Sequence, residues 1–157
     1  MQGEPRLIDA LNDILTAELT AINQYFVHAK MCKNWGYERL AQANREESIG
    51  EMKHADAVID RILFLEGVPN MQRLEKVRVG ETVPEQLELD LALEMVAVKR
   101  LNETIALAVE VGDHATRELV ERILISEQEH IDWLEAQLSQ VKQLGLPNYL
   151  AVQVRPA

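Results

Sequence analysis

The fold of this chain depends on the segment GVPNMQRLEKVRVGE, residues 67–81, which separates two long helical patterns. Fully extended, fifteen residues reach about 50 Å, enough to run the whole length of a helix of nearly thirty residues. A loop this long in a small protein usually has a structural reason. The simplest reason is a crossover along a helix bundle, so residues 67–81 are called the crossover segment. A crossover would leave the helices before and after it parallel.

Apolar residues recur at helical spacing on both sides of the crossover segment. The predicted helices cover residues 5–34, 37–65, 83–111 and 114–144, with a short tail helix at about 148–154. Within each half, the two long helices are joined by only one to three residues and must be antiparallel. Residues 1–157 are therefore predicted to form a single all-α domain. A four-helix bundle with one long crossover and a short fifth helix is the ferritin-like arrangement.

Composition supports helices and excludes several classes of function. The 157 residues are 47% hydrophobic but only 4% aromatic, a balance that favours helix over sheet. The formal net charge of -10 repels phosphate groups, so nucleic acid and anionic membranes are poor partners. No segment approaches the ~20 uncharged apolar residues of a membrane span, and we expect a soluble, cytoplasmic protein. The single cysteine, Cys32, excludes an internal disulfide and a cysteine-ligated metal cluster, and we expect it to be an ordinary buried or half-buried thiol.

Four glutamates stand at similar heights in the predicted helices, three of them within apolar stripes where an unpaired carboxylate is costly. Each lies about 11–15 residues after the predicted start of its helix, so all four meet near the middle of the bundle. In two helices, a histidine three residues after the glutamate lies on the same face, so each pair can bind one metal ion. This combination is typical of di-iron carboxylate proteins. The predicted ligands are Glu18, Glu51, His54, Glu94, Glu127 and His130.

The second half of the chain repeats the first at an offset of 76 residues. The offset relates three pairs of predicted ligands: Glu18 with Glu94, Glu51 with Glu127, and His54 with His130. A pseudo-twofold axis through the metal centre would explain this repeat. Carboxylate oxygens with one imidazole per metal suit iron or manganese better than zinc. Open coordination positions would let dioxygen take one electron from each of two ferrous ions.

Other polar side chains could support the predicted centre or lie outside it. Tyr25, two turns after Glu18, could hydrogen-bond a ligand carboxylate, and so could Asp90, one turn before the ligand of the third helix. The alternatives are a core aromatic residue for Tyr25 and a solvated acid for Asp90. His28 and His114 have no glutamate three residues before them and lie near predicted helix ends. We expect both histidines to be surface or capping residues rather than ligands.

Several stretches of the sequence resemble bacterioferritin: LTAINQYF at 19–26, EMKHA at 51–55, RILFLEG at 61–67 and EHIDWLE at 129–135. The resemblance covers almost the whole chain. It implies iron storage and detoxification by a homo-oligomeric cage of 24 subunits, built from dimers. Each subunit would be a ferroxidase that oxidises Fe(II) with dioxygen at a di-iron centre, and the cage would store the ferric mineral. The implied reductant is a small ferredoxin.

The resemblance also implies haem b, shared between two subunits and held by a methionine from each. The matching residue is Met52, which lies about 100° around the second helix from Glu51. The expected haem slot at a dimer face is lined by Leu19, Ile22, Asn23, Phe26, Ile49 and Ile59. Glu46 and Gly50 replace a histidine and an acid that relatives often carry on the cavity side, a departure that bears on any inner-surface iron site.

Two other functions remain open. One is a haem-binding electron-transfer protein with a di-iron cofactor site, in which storage is secondary. The other is a purely structural bundle whose acids are solvated. A rubrerythrin-like peroxidase is disfavoured because its cysteine cluster cannot be built from Cys32 alone. A mini-ferritin is disfavoured because its metal site lies between subunits rather than inside a bundle.

Overall fold

The computed structural model describes residues 1–156, and every regular element in that range is a helix. The elements are α1 Pro5–Asn34, α2 Glu38–Phe64, α3 Val83–Glu110, α4 His114–Leu144 and α5 Leu146–Gln153. The predicted all-α fold, with four long helices and a short C-terminal one, is confirmed. Helix α5 begins at Leu146 rather than at residue 148. Gly145, with a φ of 80°, ends α4, and the proline that follows Leu146 occupies the first turn of α5.

The crossover segment runs along α1 and fixes the directions of the long helices. At one end, the Gly3 N–H donates to the Leu65 carbonyl at 3.0 Å, so α2 ends beside the start of α1. At the other end, the Gly80 N–H donates to His28 at 3.0 Å, so α3 begins beside the end of α1. Helix α3 therefore runs antiparallel to α1 and parallel to α2, as the crossover predicted. Among residues 1–156, no helix is both long and apolar enough to cross a membrane.

Polar side chains at every fourth position of α1 hold the crossover segment in place. An extended segment without a neighbouring strand needs other partners for its backbone groups, and one face of α1 supplies them. The contacts join Asn12 to Val68 and Asn70, Thr16 to Arg73, Thr20 to Glu75, Gln24 to Arg78, and His28 to Gly80. The crossover segment is thus fastened to α1 along most of its length, and Arg100 and Gln86 of α3 add contacts at Glu75 and Gly80.

Two clusters of buried apolar side chains fill the bundle, one on each side of a polar layer. The first cluster includes Leu11, Leu15, Val58, Leu101 and Ile123. The second includes Cys32, Leu40, Leu87, Leu134 and Tyr149. The Tyr149 hydroxyl donates to Gln137 at 2.6 Å, which ties α5 to α4. Cys32 is buried, as predicted.

Candidate metal centre

The six predicted ligands converge in the polar layer between the two apolar clusters. Each long helix contributes at least one of them: Glu18 from α1, Glu51 and His54 from α2, Glu94 from α3, and Glu127 and His130 from α4. The four glutamates are only 1% to 3% exposed. Since each side chain faces the interior of the bundle, helix packing alone brings four carboxylates and two imidazoles to one buried place.

The ligand atoms form overlapping groups in which all atoms lie within 4.8 Å of one another. The first group is Glu18, Glu51, His54 and Glu127; the second is Glu47, Glu94 and His130; the third is Glu47, Glu51, Glu94 and Glu127. Glu51 and Glu127 therefore stand between the other ligands. This geometry offers two neighbouring cation positions with two carboxylates between them.

Each predicted ligand has a buried atom without a hydrogen-bond partner. These atoms are Glu18 Oε2, Glu51 Oε1, His54 Nδ1, Glu94 Oε2, Glu127 Oε1 and His130 Nε2. Contacts among them are close, with His54 Nδ1 3.0 Å from Glu127 Oε1, but the atoms are not aligned as donor and acceptor. Buried polar atoms are normally satisfied, so six orphaned ones in one layer fit a cation better than a hydrogen-bond network. The donor set suits iron.

Burial raises the pKa of every carboxyl group in the ligand set. Loss of water is the leading cause for Glu18, and for Glu51 and Glu94, whose pKa values rise well above the ordinary range. It raises the pKa of Glu127 to about 7. Like charges add to the effect, as at Glu51, where Glu18 is the next cause. A divalent cation would offset both desolvation and repulsion, and would favour the ionised carboxylates.

The two histidines of the centre have opposite electrostatics. Burial lowers the pKa of His130 to about 4, so this imidazole is neutral and able to bind a metal. Burial also acts to lower the pKa of His54, but the nearby Glu127, Glu18 and Glu51 outweigh it and raise that pKa to about 12. A metal ligand must give up its proton. Metal binding at His54 should therefore release a proton.

Tyr25 holds one oxygen of Glu94. Its hydroxyl donates to Glu94 Oε1, which leaves Oε2 as the orphaned atom of that carboxylate. Burial, followed by the charge of Glu94, holds the pKa of Tyr25 well above its ordinary value, so the phenol remains a donor. The rings of Tyr25 and His130 meet edge-to-face at 5.2 Å, and Trp133 stacks on His130 at 5.6 Å. The predicted contact from Tyr25 to a ligand carboxylate is present.

The structure contradicts the expectations for Asp90 and His28. Asp90 is buried rather than solvated, and its hydrogen-bond partners are not the predicted ligand carboxylates; it accepts from Gln24 at 2.9 Å and pairs with His28 at 2.9 Å. His28 is fully buried rather than at the surface. The reason is the crossover segment, whose Gly80 covers this end of α1. His114 is exposed, as expected.

Glu47 joins the centre although the sequence patterns did not predict it. Its Oε2 lies 3.3 Å from His130 Nδ1. Burial, followed by the charge of Glu51, raises the pKa of Glu47 to about 8. Glu47 lies one helical turn before Glu51, and this four-residue spacing was the available signal. The 76-residue offset places Ile123 at the corresponding position of α4, so the two halves of the centre differ.

Residues 8–144 match the family described as Ferritin-like domain. The chain is 50% identical to the bacterioferritin of Mycolicibacterium paratuberculosis over 151 aligned residues. The alignment covers 96% of this chain and 95% of that protein. The bacterioferritin of Mycobacterium leprae has the same identity and coverage. The chain belongs to the bacterioferritin family. The bacterioferritin of Brucella melitensis is 43% identical over 157 residues, with 100% and 98% coverage. The family resemblance drawn from the sequence motifs is confirmed.

The bacterioferritin-family haem residues predicted from the sequence lie along adjoining stretches of α1 and α2. Ser48 on α2 donates to the Ile22 carbonyl on α1 at 2.8 Å, which shows that the stretches meet. Met52 is 57% exposed, Phe26 50% and Ile49 42%. Asn23 is also exposed. The remaining three residues are half-buried and pack on the first core cluster: Leu19, Ile22 and Ile59. These seven residues, called the Met52 patch, leave a thioether sulfur on an accessible apolar surface.

Proposed function

We propose that this chain is a ferroxidase subunit that stores iron in a cage of 24 copies. Fe(II) would be oxidised by dioxygen at the centre, and ferric mineral would collect inside the cage. The observation that carries the proposal is the set of six orphaned, buried ligand atoms arranged as two neighbouring cation positions. Membership of the bacterioferritin family supports it.

The residues of the centre have distinct parts in this proposal. Glu51 and Glu127 stand between the two positions and could bind both ions. Two ferrous ions held this close can each give one electron to the same dioxygen molecule. Tyr25 fixes Glu94 by its hydrogen bond, and Trp133 supports the ring of His130. Such outer contacts keep metal ligands oriented while the charge on iron changes.

The Met52 patch supports a haem b site shared by two subunits. Thioether sulfur is a soft ligand that favours ferrous haem, and the surrounding apolar surface suits a macrocycle. When bound, the haem would supply an electron path for reduction and release of stored iron. One subunit provides half of such a site, which fits assembly of the cage from dimers. A small ferredoxin would be the electron donor.

The test of the ferroxidase proposal compares two glutamate variants of α4. Glu127→Ala removes a ligand that stands between both positions, whereas Glu118→Ala changes an exposed glutamate of the same helix. We expect Glu127→Ala to abolish the rapid phase of Fe(II) oxidation in stopped-flow measurements, with assembly unchanged by light scattering. Glu118→Ala should keep the wild-type rate. Rapid oxidation by an assembled Glu127→Ala cage would refute the placement of the centre.

A further inference from the structure

His28 of α1 is fully buried, and both of its ring nitrogens form hydrogen bonds, one to the crossover segment and one to α3. Its Nε2 accepts the Gly80 N–H of the crossover segment at 3.0 Å. Its Nδ1 lies 2.9 Å from Asp90 Oδ1 of α3. A backbone N–H can only donate, so Nε2 carries no proton, and the ring proton sits on Nδ1, where it is donated to Asp90. His28 is therefore a hydrogen-bonded bridge from α1 to both other elements.

Gly80 is held between α1 and the first turns of α3. Its carbonyl accepts from Gln86 Nε2 at 3.1 Å, while its N–H points to His28. A Cβ at position 80 would lie 2.5 Å from the Gln86 nitrogen, so only glycine lets the backbone approach this closely. The end of the crossover segment thus cannot shift without disturbing both helices.

Asp90 connects this bridge to the metal centre. It also accepts from Gln24 Nε2 at 2.9 Å, and the side-chain oxygen Oε1 of Gln24 in turn accepts the Arg78 N–H at 3.2 Å. One helical turn further along α3, Glu94 accepts the hydrogen bond from Tyr25, the residue after Gln24 on α1. Two adjacent layers of hydrogen bonds therefore join α1 to α3, and the second layer includes a predicted metal ligand.

We propose that His28 is a positioning residue for the metal position at Glu94. Its hydrogen bond to Asp90 fixes the position of α3 relative to α1. Its hydrogen bond from Gly80 anchors the crossover segment over the contact between these two helices. Hydrogen bonds between buried groups are directional, so losing the bridge would let α3 move by a fraction of an ångström relative to Tyr25. A displacement of that size is enough to weaken a metal ligand. The inference deepens the proposed ferroxidase function and rests on it.

The proposal assigns different outcomes to two variants of the same residue. His28→Gln can donate to Asp90 and accept from Gly80, whereas His28→Leu can do neither. His114→Leu changes an exposed histidine and serves as the control. The probe is Co(II), which reports its ligands through visible absorption. Exchange of the Gly80 amide, measured by mass spectrometry, reports on the crossover anchor without any metal.

We expect wild-type protein to bind two Co(II) ions per subunit. His28→Leu should weaken one of them by about tenfold, the lower end for groups that orient metal ligands, and should change its absorption spectrum. The same variant should speed Gly80 exchange, while His28→Gln should restore both properties. If His28→Leu does not fold, Asp90→Asn takes its place. This substitution replaces one of the two carboxylate oxygens that accept from His28 and Gln24 with an NH2 group.

The two possible failures are distinguishable. Unchanged Co(II) affinities and spectrum in a folded His28→Leu or Asp90→Asn protein would overturn the positioning role. So would equal loss of both Co(II) ions, or a His28→Gln variant that restores nothing, since a merely structural role predicts those results. Wild-type protein that binds no pair of Co(II) ions would instead overturn the proposed ferroxidase centre, and Gly80 exchange would still decide the anchor.

Discussion

Tyr25 on α1 donates a hydrogen bond to Glu94 on α3, but the sequence repeat supplies no matching donor for Glu18. The residue 76 positions after Tyr25 is Leu101, a core side chain with nothing to donate. The two proposed metal positions are therefore unequal, although their predicted ligands follow the repeat. Glu94 is fixed by a hydrogen bond from a neutral phenol, and Glu18 is not.

Replacing Tyr25 should affect the Glu94 position selectively. Tyr25→Phe keeps the ring but leaves a buried carboxylate oxygen without its donor, which costs about 1–3 kcal/mol. We expect a lower free energy of unfolding by an amount in that range and slower Fe(II) oxidation. The matched control is Tyr37→Phe, a half-buried tyrosine outside the centre. Denaturant unfolding and stopped-flow oxidation measure the two effects; identical results for both variants would contradict the role of the hydrogen bond.

Glu47 and Glu46 provide a second matched pair. Glu47 lies beside His130, whereas Glu46 is exposed. Glu47→Gln removes a group that can become negative when a cation approaches, so we expect about tenfold weaker binding of one metal ion. Glu46→Gln should bind metal as the wild type does. Calorimetric titration with Fe(II) in the absence of oxygen measures the metal affinity of both variants. Equal affinities in the two variants would exclude Glu47 from the metal centre.

The metal-free protein should lose stability as pH rises from 6.5 to 8. Burial raises the folded-state pKa of Glu127 to about 7 and that of Glu47 to about 8. The surrounding carboxylates raise the pKa of His54 to about 12 despite its burial. Across this interval the folded chain therefore holds more protons than the unfolded chain, and the free energy of unfolding falls. His130, whose pKa burial lowers to about 4, opposes this through the protons that the unfolded imidazole still holds near its ordinary pKa of about 6.5, and this opposition fades as the pH rises.

Bound metal should abolish this decline in stability, because the ligands then have already lost their protons in the folded state. The measurement is the denaturant midpoint of metal-free and Co(II)-loaded protein at pH 6.5 and pH 8. A metal-free midpoint that rises across this interval would show that the buried acids are not protonated as the structure implies.

The haem proposal is tested by replacing Met52. Met52→Leu is nearly isosteric and should cost little stability. Because Met52 is exposed on α2 while Glu51 is buried in the centre, we expect loss of haem with Fe(II) oxidation near the wild-type rate. Iron release driven by reductant should slow. Met95→Leu, which changes an equally exposed methionine on α3, should behave as wild type.

Visible absorption and release kinetics decide this prediction. Haem retained with an unchanged spectrum in Met52→Leu would refute Met52 as its ligand. Normal iron release from a haem-free cage would refute the proposed path of electrons.

The sequence determined the helices and the six residues that converge at the candidate centre. Helical periodicity and a three-residue spacing are local properties, and a ligand that faces the core of its own helix needs no distant residue to reveal it. The crossover was also readable, because chain length alone limits how residues 67–81 can connect two long helices.

Only the tertiary structure decided the partners and the burial of side chains that lie between helices. His28 and Asp90 are 62 positions apart in the chain, and nothing local shows that each satisfies the other. Their burial depends on where the crossover segment lies, because Gly80 covers a helix end that would otherwise face solvent. Glu47 looks like one more acid on a charged helix until α4 brings His130 within 3.3 Å. A side chain's own helix sets the face it occupies, but its partners, its pKa and its exposure to water are set by the elements that pack against that face.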